Sequence, residues 1–144
     1  MLLGAFCQTE IGLRGLDAGA GSGVLGLMMA QKFPSMQVDC VEADPQAHEE
    51  CAYNLVHSPF SARMNAFCAD INSFKKPYAY DLIVSNPPYI SETEKQEMSP
   101  RILQYEPHSA LFVTNQDPLQ FYKAIASFST THLKPKGSVF VEVN

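Results

Sequence analysis

Nowhere in the chain does an apolar run approach the roughly 20 residues that a membrane-spanning helix needs, so no membrane association is expected. The opening MLLGAFCQTE lacks the basic residues of a targeting segment, and the expected setting is reducing and cytoplasmic. Cysteine is scarce: Cys7, Cys40, Cys51 and Cys68 form no CxxC pair, which removes the usual spacing of zinc and redox sites. No metal is expected. Cys40 and Cys68 sit inside apolar runs, where a free thiol behaves as a small hydrophobe. Basic residues are also few. Ten Lys and Arg against 15 Asp and Glu leave a formal net charge of −5, so there is no general attraction for polyanions. A nucleic-acid contact would need a local patch, and Lys75, Lys76, Lys95, Arg101, Lys134 and Lys136 are scattered in sequence. Repeats, low-complexity tracts and inter-domain linkers are missing as well. What is present, 144 residues with 46% hydrophobic and 17% charged, suits one globular domain over residues 1–144.

Strand and helix signals alternate along that domain. Leu13–Ala18 is a short apolar run ending in glycines, and Val24–Phe33 carries a helical stripe stopped by Pro34. Gln37–Glu42 is a second strand. Asp44 and Pro45 form an N-cap with proline at the first helical position. Met64–Ala69 is a third strand, and Tyr80–Ser85 a fourth, halted by Asn86-Pro87-Pro88. Ser91 and Glu94 have the spacing of a capping box. Asp117 and Pro118 open a helix that should run to about Leu133, with Phe121, Tyr122 and Phe128 in the core. Lys134–Gly137 reads as a turn, and Ser138–Val143 as a fifth strand. The alternation predicts an α/β fold with a doubly wound, mainly parallel sheet and right-handed crossovers. Ligands bind such sheets beyond the carboxyl ends of the strands, where strand order reverses.

After the first strand comes Asp17-Ala18-Gly19-Ala20-Gly21-Ser22-Gly23. Glycines allow a tight turn and close backbone approach to a ligand, and the helix that follows offers free N–H groups. Gly21, Gly23 and Gly26 satisfy GxGxxG, with Glu42 at the distance a dinucleotide site would want, so a nicotinamide or flavin oxidoreductase stays open from this segment. Asp17 argues the other way. A carboxylate there would repel a diphosphate and welcome a ligand with an ammonium and a sulfonium. Glu42 could accept from ribose hydroxyls and Asp70 from an adenine amino group, although Asp70 could equally be a cap or a solvated loop acid.

Asn86-Pro87-Pro88-Tyr89 is the most specific segment. Two prolines fix the backbone and remove two donors, so the Asn86 side-chain oxygen and the Pro87 carbonyl can together take both hydrogens of an –NH2 group. Tyr89 offers a flat face for a planar amide or base. Asn-Pro and Pro-Pro are also ordinary loop punctuation.

With DAGAGSG, Glu42, Asp70 and NPPY in one order, the chain resembles class I S-adenosylmethionine-dependent methyltransferases of the N6-adenine and N5-glutamine branch. The resemblance implies a Rossmann-like fold, S-adenosyl-L-methionine as cofactor, and N-methylation. It assigns the methionine part to Asp17, Gly19, Gly21 and Gly23, the ribose to Glu42, the adenine to Asp70, and the target nitrogen to Asn86, Pro87 and Tyr89. From Ser91 onward, Tyr105-Glu106-Pro107-His108, Ala110-Leu111-Phe112 and Asp117-Pro118-Leu119 resemble HemK-type release-factor glutamine methyltransferases. From Met1 to about Asn65, MLLGAF, VEADPQA and NLVHSPFSARM are more similar to enzymes that methylate adenine N6 in tRNA. The substrate side follows NPPY, which favours a release factor as protein substrate, with tRNA as the alternative. A non-catalytic module that keeps only the cofactor pocket is a further alternative. The family's sheet has seven strands, so five strands imply a C-terminally incomplete sheet, an exposed edge and self-association through it.

Overall fold

A strand buried on both faces is rich in apolar side chains, and Tyr80–Ser85 (β4) supplies Tyr80, Leu82, Ile83 and Val84, with Asp81 and Ser85 buried alongside them. The computed structural model describes Cys7 and residues 13–87, 90–91, 112–113 and 119–143, the two central pairs by backbone only. Around β4 run β1 (Arg14–Ala18), β2 (Gln37–Glu42), β3 (Met64–Cys68) and, late in the chain, β7 (Leu133–Val141). All neighbours are parallel, in the order β3-β2-β1-β4-β7. The order reverses between β1 and β4, as the predicted doubly wound sheet requires. A second, two-residue parallel pair, β5 (Ile90–Ser91) with β6 (Phe112–Val113), was not foreseen.

Three helices cover the sheet: α1 (Val24–Lys32), α2 (Pro45–Val56) and α3 (Gln120–His132). α2 starts as its sequence demands, with Asp44 accepting from the Ala47 N–H at 2.9 Å and Pro45 at the first position. One face of the sheet packs Met29, Cys40, Cys51, Leu55, Val84 and their neighbours. The other packs Leu16, Val41, Ile83, Ile125 and Phe128. Phe128 is core as expected, whereas Phe121 and Tyr122 are only half-buried.

Several expectations change. Cys68 is exposed, unlike the buried Cys7, Cys40 and Cys51, because it closes the outer strand β3. Lys134–Gly137 is not a separate turn. It belongs to β7, whose register against β4 shifts between Tyr80 and Leu82, with Lys136 at φ 67°. There Lys134 Nζ lies 3.0 Å from Asp81 Oδ2, and the Leu13 and Arg14 N–H groups donate to the same oxygen. Burial raises the Asp81 pKa, but the Lys134 hydrogen bond and the two backbone donors outweigh it and hold the group below its usual range. Lys76 lies 3.6 Å over the Phe67 ring. With Lys134 also engaged, two of the scattered cations are committed locally. Lys95, Arg101, Glu94, Asp117 and Pro118 lie outside the described residues.

At the amino end of the sheet, Asp39 is 2% exposed and fully engaged. It accepts from Tyr78 and Tyr80 hydroxyls at 2.8 Å each and from Asn65 Nδ2 at 3.0 Å. Burial, then the Asp39 carboxylate, push the Tyr80 hydroxyl far above its ordinary pKa, so it remains a donor. Asp39→Ala would strand the buried Tyr80 hydroxyl, and it is expected to cost about 3 kcal/mol. Urea denaturation checks this; a loss below about 1 kcal/mol would contradict it.

Candidate active site

Carboxyl ends of β1, β2, β3 and β4 converge on a cavity of about 640 Å³, within the usual range for small-molecule sites. Its wall includes Gly19–Ser22, Val24 and Leu25 after β1, Glu42 and Asp44 after β2, Asp70–Asn72 after β3, and Ser85, Asn86 and Pro87 from β4. Phe121 and Ile125 of α3 close another side.

The glycine turn is built by its own sequence. Gly19, Gly21 and Gly23 have φ of 69°, 54° and 83°, which side chains with a Cβ adopt only with strain. A Cβ on Gly23 would also come within 2.7 Å of Leu55 Cδ1, so α1 could not start so close to α2. Gly19 and Ala20 N–H groups donate to Val41 O at 2.9 and 3.0 Å, fixing the turn to β2. Ser85 Oγ donates to Ala18 O at 2.6 Å, clamping the ends of β1 and β4. The turn and Asn86 are thereby held across one cavity.

Glu42 is half-buried in the wall. Its Oε2 accepts from Gly21 N–H at 2.8 Å and its Oε1 from Asp44 N–H at 2.9 Å. Each oxygen retains a second acceptor site for a hydroxyl pair. Asp70 is exposed on the rim, and its Oδ1 accepts from the Asn72 N–H and Nδ2 at 2.8 and 2.9 Å. It is thus a turn-forming acid and a wall residue at once.

Asp17 departs from the expectation of direct contact with a ligand. It is completely buried and absent from the wall. Its Oδ2 accepts from Gly26 N–H in the first turn of α1 at 2.8 Å, and its Oδ1 is buried without a partner. The reason is that its side chain leaves the strand toward α1, behind the turn rather than into the opening. Burial pushes its pKa up to about 7; the Gly26 N–H opposes this and nearby Glu42 adds to it.

Asn86 is half-buried and Pro87 buried, both in the wall. Asn86 Oδ1 is inaccessible and has no hydrogen-bond partner. An unpaired buried oxygen costs about 1–3 kcal/mol, so its retention asks for a donor brought by a ligand. Tyr89 lies outside the described residues. Sequence reasoning missed Phe121 and Ile125 as wall residues, because apolar positions on a helix read as core. Among the described residues no group of three or more metal-ligating side chains forms, and no helix is long and apolar enough to cross a membrane.

Residues 1–111 match the family described as methyltransferase small domain. A release factor glutamine methyltransferase of Bacteroides thetaiotaomicron is 38% identical over 132 residues, covering 90% of this chain and 46% of that protein. A tRNA1(Val) (adenine(37)-N6)-methyltransferase of Pedobacter heparinus is 44% identical over 89 residues, covering 62% of this chain and 38% of that protein. The chain therefore spans about half the length of curated relatives it matches, or less. The glycopeptide N-methyltransferase MtfA, solved with (S)-adenosyl-L-methionine, shares the fold at TM-score 0.60 with 14% identity, covering 92% of this chain and 47% of that one.

Proposed function

The chain belongs to the methyltransferase small domain family, and from that premise we propose that it transfers a methyl group from S-adenosylmethionine to a planar NH2 nitrogen, the side-chain amide of a glutamine in a peptide chain release factor. The observation that carries the reading is Asn86 Oδ1, buried and unpartnered in the wall of the cavity that also contains the glycine turn. When bound, S-adenosylmethionine supplies a methyl activated on a sulfonium. The protein groups fit such a molecule: glycines where a Cβ would strain the turn, a carboxylate with open acceptor sites at Glu42, and an acid at the Asp70 rim. Asp17 acts through the first turn of α1, which it fixes by Gly26, and above about pH 7 as a negative charge behind the turn.

An amide nitrogen is a poor nucleophile, so alignment must do much of the chemistry, and in well-oriented systems it can be worth roughly 7–11 kcal/mol. Asn86 Oδ1 and the Pro87 carbonyl take the two N–H hydrogens, and Tyr89 stacks on the amide plane. Acceptors at those positions also stabilise positive charge as it builds on the nitrogen.

Support for glutamine over adenine comes from extent: release-factor enzymes align with 90% of the chain, the tRNA enzyme with 62%. The tRNA reading is favoured by the higher identity within its shorter match. A transfer assay with labelled S-adenosylmethionine, offering release factor and tRNA together, is expected to label the release factor. Label in tRNA alone would replace glutamine by adenine. In a thermal melt, cofactor at 100 times its Kd should add roughly 2.7 kcal/mol; saturable stabilisation without transfer to either substrate would mean a non-catalytic module. We place the protein in the cytoplasm on the same reading. Among the described residues β7 pairs only with β4, so the 144-residue polypeptide is expected to self-associate through that edge; a single monomeric species in sedimentation would contradict this.

A further inference from the structure

Asn54 of α2, half-buried, reaches back to the glycine turn: its Nδ2 donates to Ser22 O at 2.9 Å, across 32 residues of sequence. Ser22 is cavity wall, and it stands between Gly21 and Gly23, whose φ are 54° and 83°. A carbonyl drawn out of water needs a donor, and in a helix the donor for Ser22 would be the N–H four residues on. That N–H belongs to Gly26 and is taken by Asp17 Oδ2 at 2.8 Å. The Ser22 oxygen is thereby left for Asn54. In the same peptide the Gly23 N–H, which points the opposite way in a planar trans unit, donates to Ala20 O at 2.8 Å. Asn54 and Ala20 thus hold one peptide plane from its two ends.

α2 is seated for this. A Cβ on Gly23 would lie 2.7 Å from Leu55 Cδ1 and 2.9 Å from Cys51 Sγ, so α2 closes on the turn with residues that flank Asn54 in sequence. Glycine on both sides of Ser22 leaves its peptide easy to rotate. Without Asn54, the plane is fixed at the Gly23 N–H alone. The plane matters because α1 starts there. Val24 and Leu25 follow it and are cavity wall, and a helix start offers N–H groups to an anion. We propose that Asn54 is a positioning residue for the cofactor, holding the Ser22 carbonyl against α2 and so setting the helix start that receives the amino-acid end of S-adenosylmethionine. The inference rests on the S-adenosylmethionine reading of the cavity. Asn54 is itself absent from the wall and acts through Ser22, which is part of it.

The test is calorimetric titration of the full chain, Asn54→Ala and Asn54→Asp with two ligands. One is S-adenosylhomocysteine; the other is methylthioadenosine, which keeps the adenosine and lacks the amino-acid end. Asp keeps the size of Asn, but its carboxylate only accepts and cannot hold the Ser22 carbonyl. Both variants are expected to bind S-adenosylhomocysteine about 10-fold more weakly than wild type, the order of one hydrogen bond lost. Both should bind methylthioadenosine as wild type does. In transfer assays the same loss should appear in KM for S-adenosylmethionine rather than in kcat. Equal weakening of the two ligands would overturn the assignment, because it marks general damage to the cavity. If wild type binds neither ligand, the cofactor reading falls and this inference with it. If wild type and both variants bind S-adenosylhomocysteine equally, only the role of Asn54 falls.

Discussion

Asn86→Ala is expected to lower turnover on the order of 100-fold, by analogy with removing one preorganised oxyanion donor, while leaving S-adenosylmethionine affinity unchanged. Asn86 Oδ1 is buried with no partner in the protein itself, so truncation breaks no hydrogen bond of the empty fold. The loss should therefore appear in kcat rather than in stability. Affinity should survive because the glycine turn is secured elsewhere, by Val41 O and by Glu42. Steady-state transfer kinetics and calorimetric titration of the cofactor separate the two quantities. Undiminished turnover would remove Asn86 from the site, and equal loss of cofactor affinity would make it a structural residue.

Asp17→Asn should change how stability depends on pH. In the folded chain Asp17 has its pKa raised from 3.8 to about 7, chiefly by burial. The native state therefore holds a proton that the unfolded chain releases. Stability falls as pH rises from about 4 to about 7, and flattens above. Asn cannot ionise, yet its side-chain oxygen can still accept from Gly26 N–H. Relative to wild type, Asp17→Asn should gain on the order of 3 kcal/mol between pH 5 and pH 8, measured by urea denaturation at both values. A constant difference between the two proteins would contradict the assigned pKa. The same charge predicts that wild type binds cationic S-adenosylmethionine more tightly as pH rises through about 7, and that the Asn variant does not.

Much of this arrangement was legible in the residues. β2 and β4 have the expected bounds, since a strand buried between neighbours is rich in apolar residues, here Val38, Cys40 and Val41 in β2 and Leu82–Val84 in β4. The Asp44-Pro45 start of α2 was equally clear, because capping is a local event. Local signals misled at Lys134–Gly137, where residues typical of a turn lie inside β7, at the irregularity of its pairing with β4, and Lys134 reaches Asp81, far away in sequence. The β5–β6 pair is too short to show any periodicity. Within the site, Gly19, Gly21, Glu42, Asp70, Asn86 and Pro87 line one cavity, whereas Gly23 is outside the lining, set against Leu55 and Cys51. The direction of Asp17 could not be read from position alone, because a strand residue can leave on either face.

The account turns on one cavity serving both the methyl donor and the nitrogen that receives the methyl. A crystal structure with S-adenosylhomocysteine tests this most directly. The expected result is a ligand between the Gly19–Gly23 turn and Asp70, with its sulfur end toward Asn86. A ligand bound elsewhere, or turned so that its sulfur points away from Asn86, would contradict it.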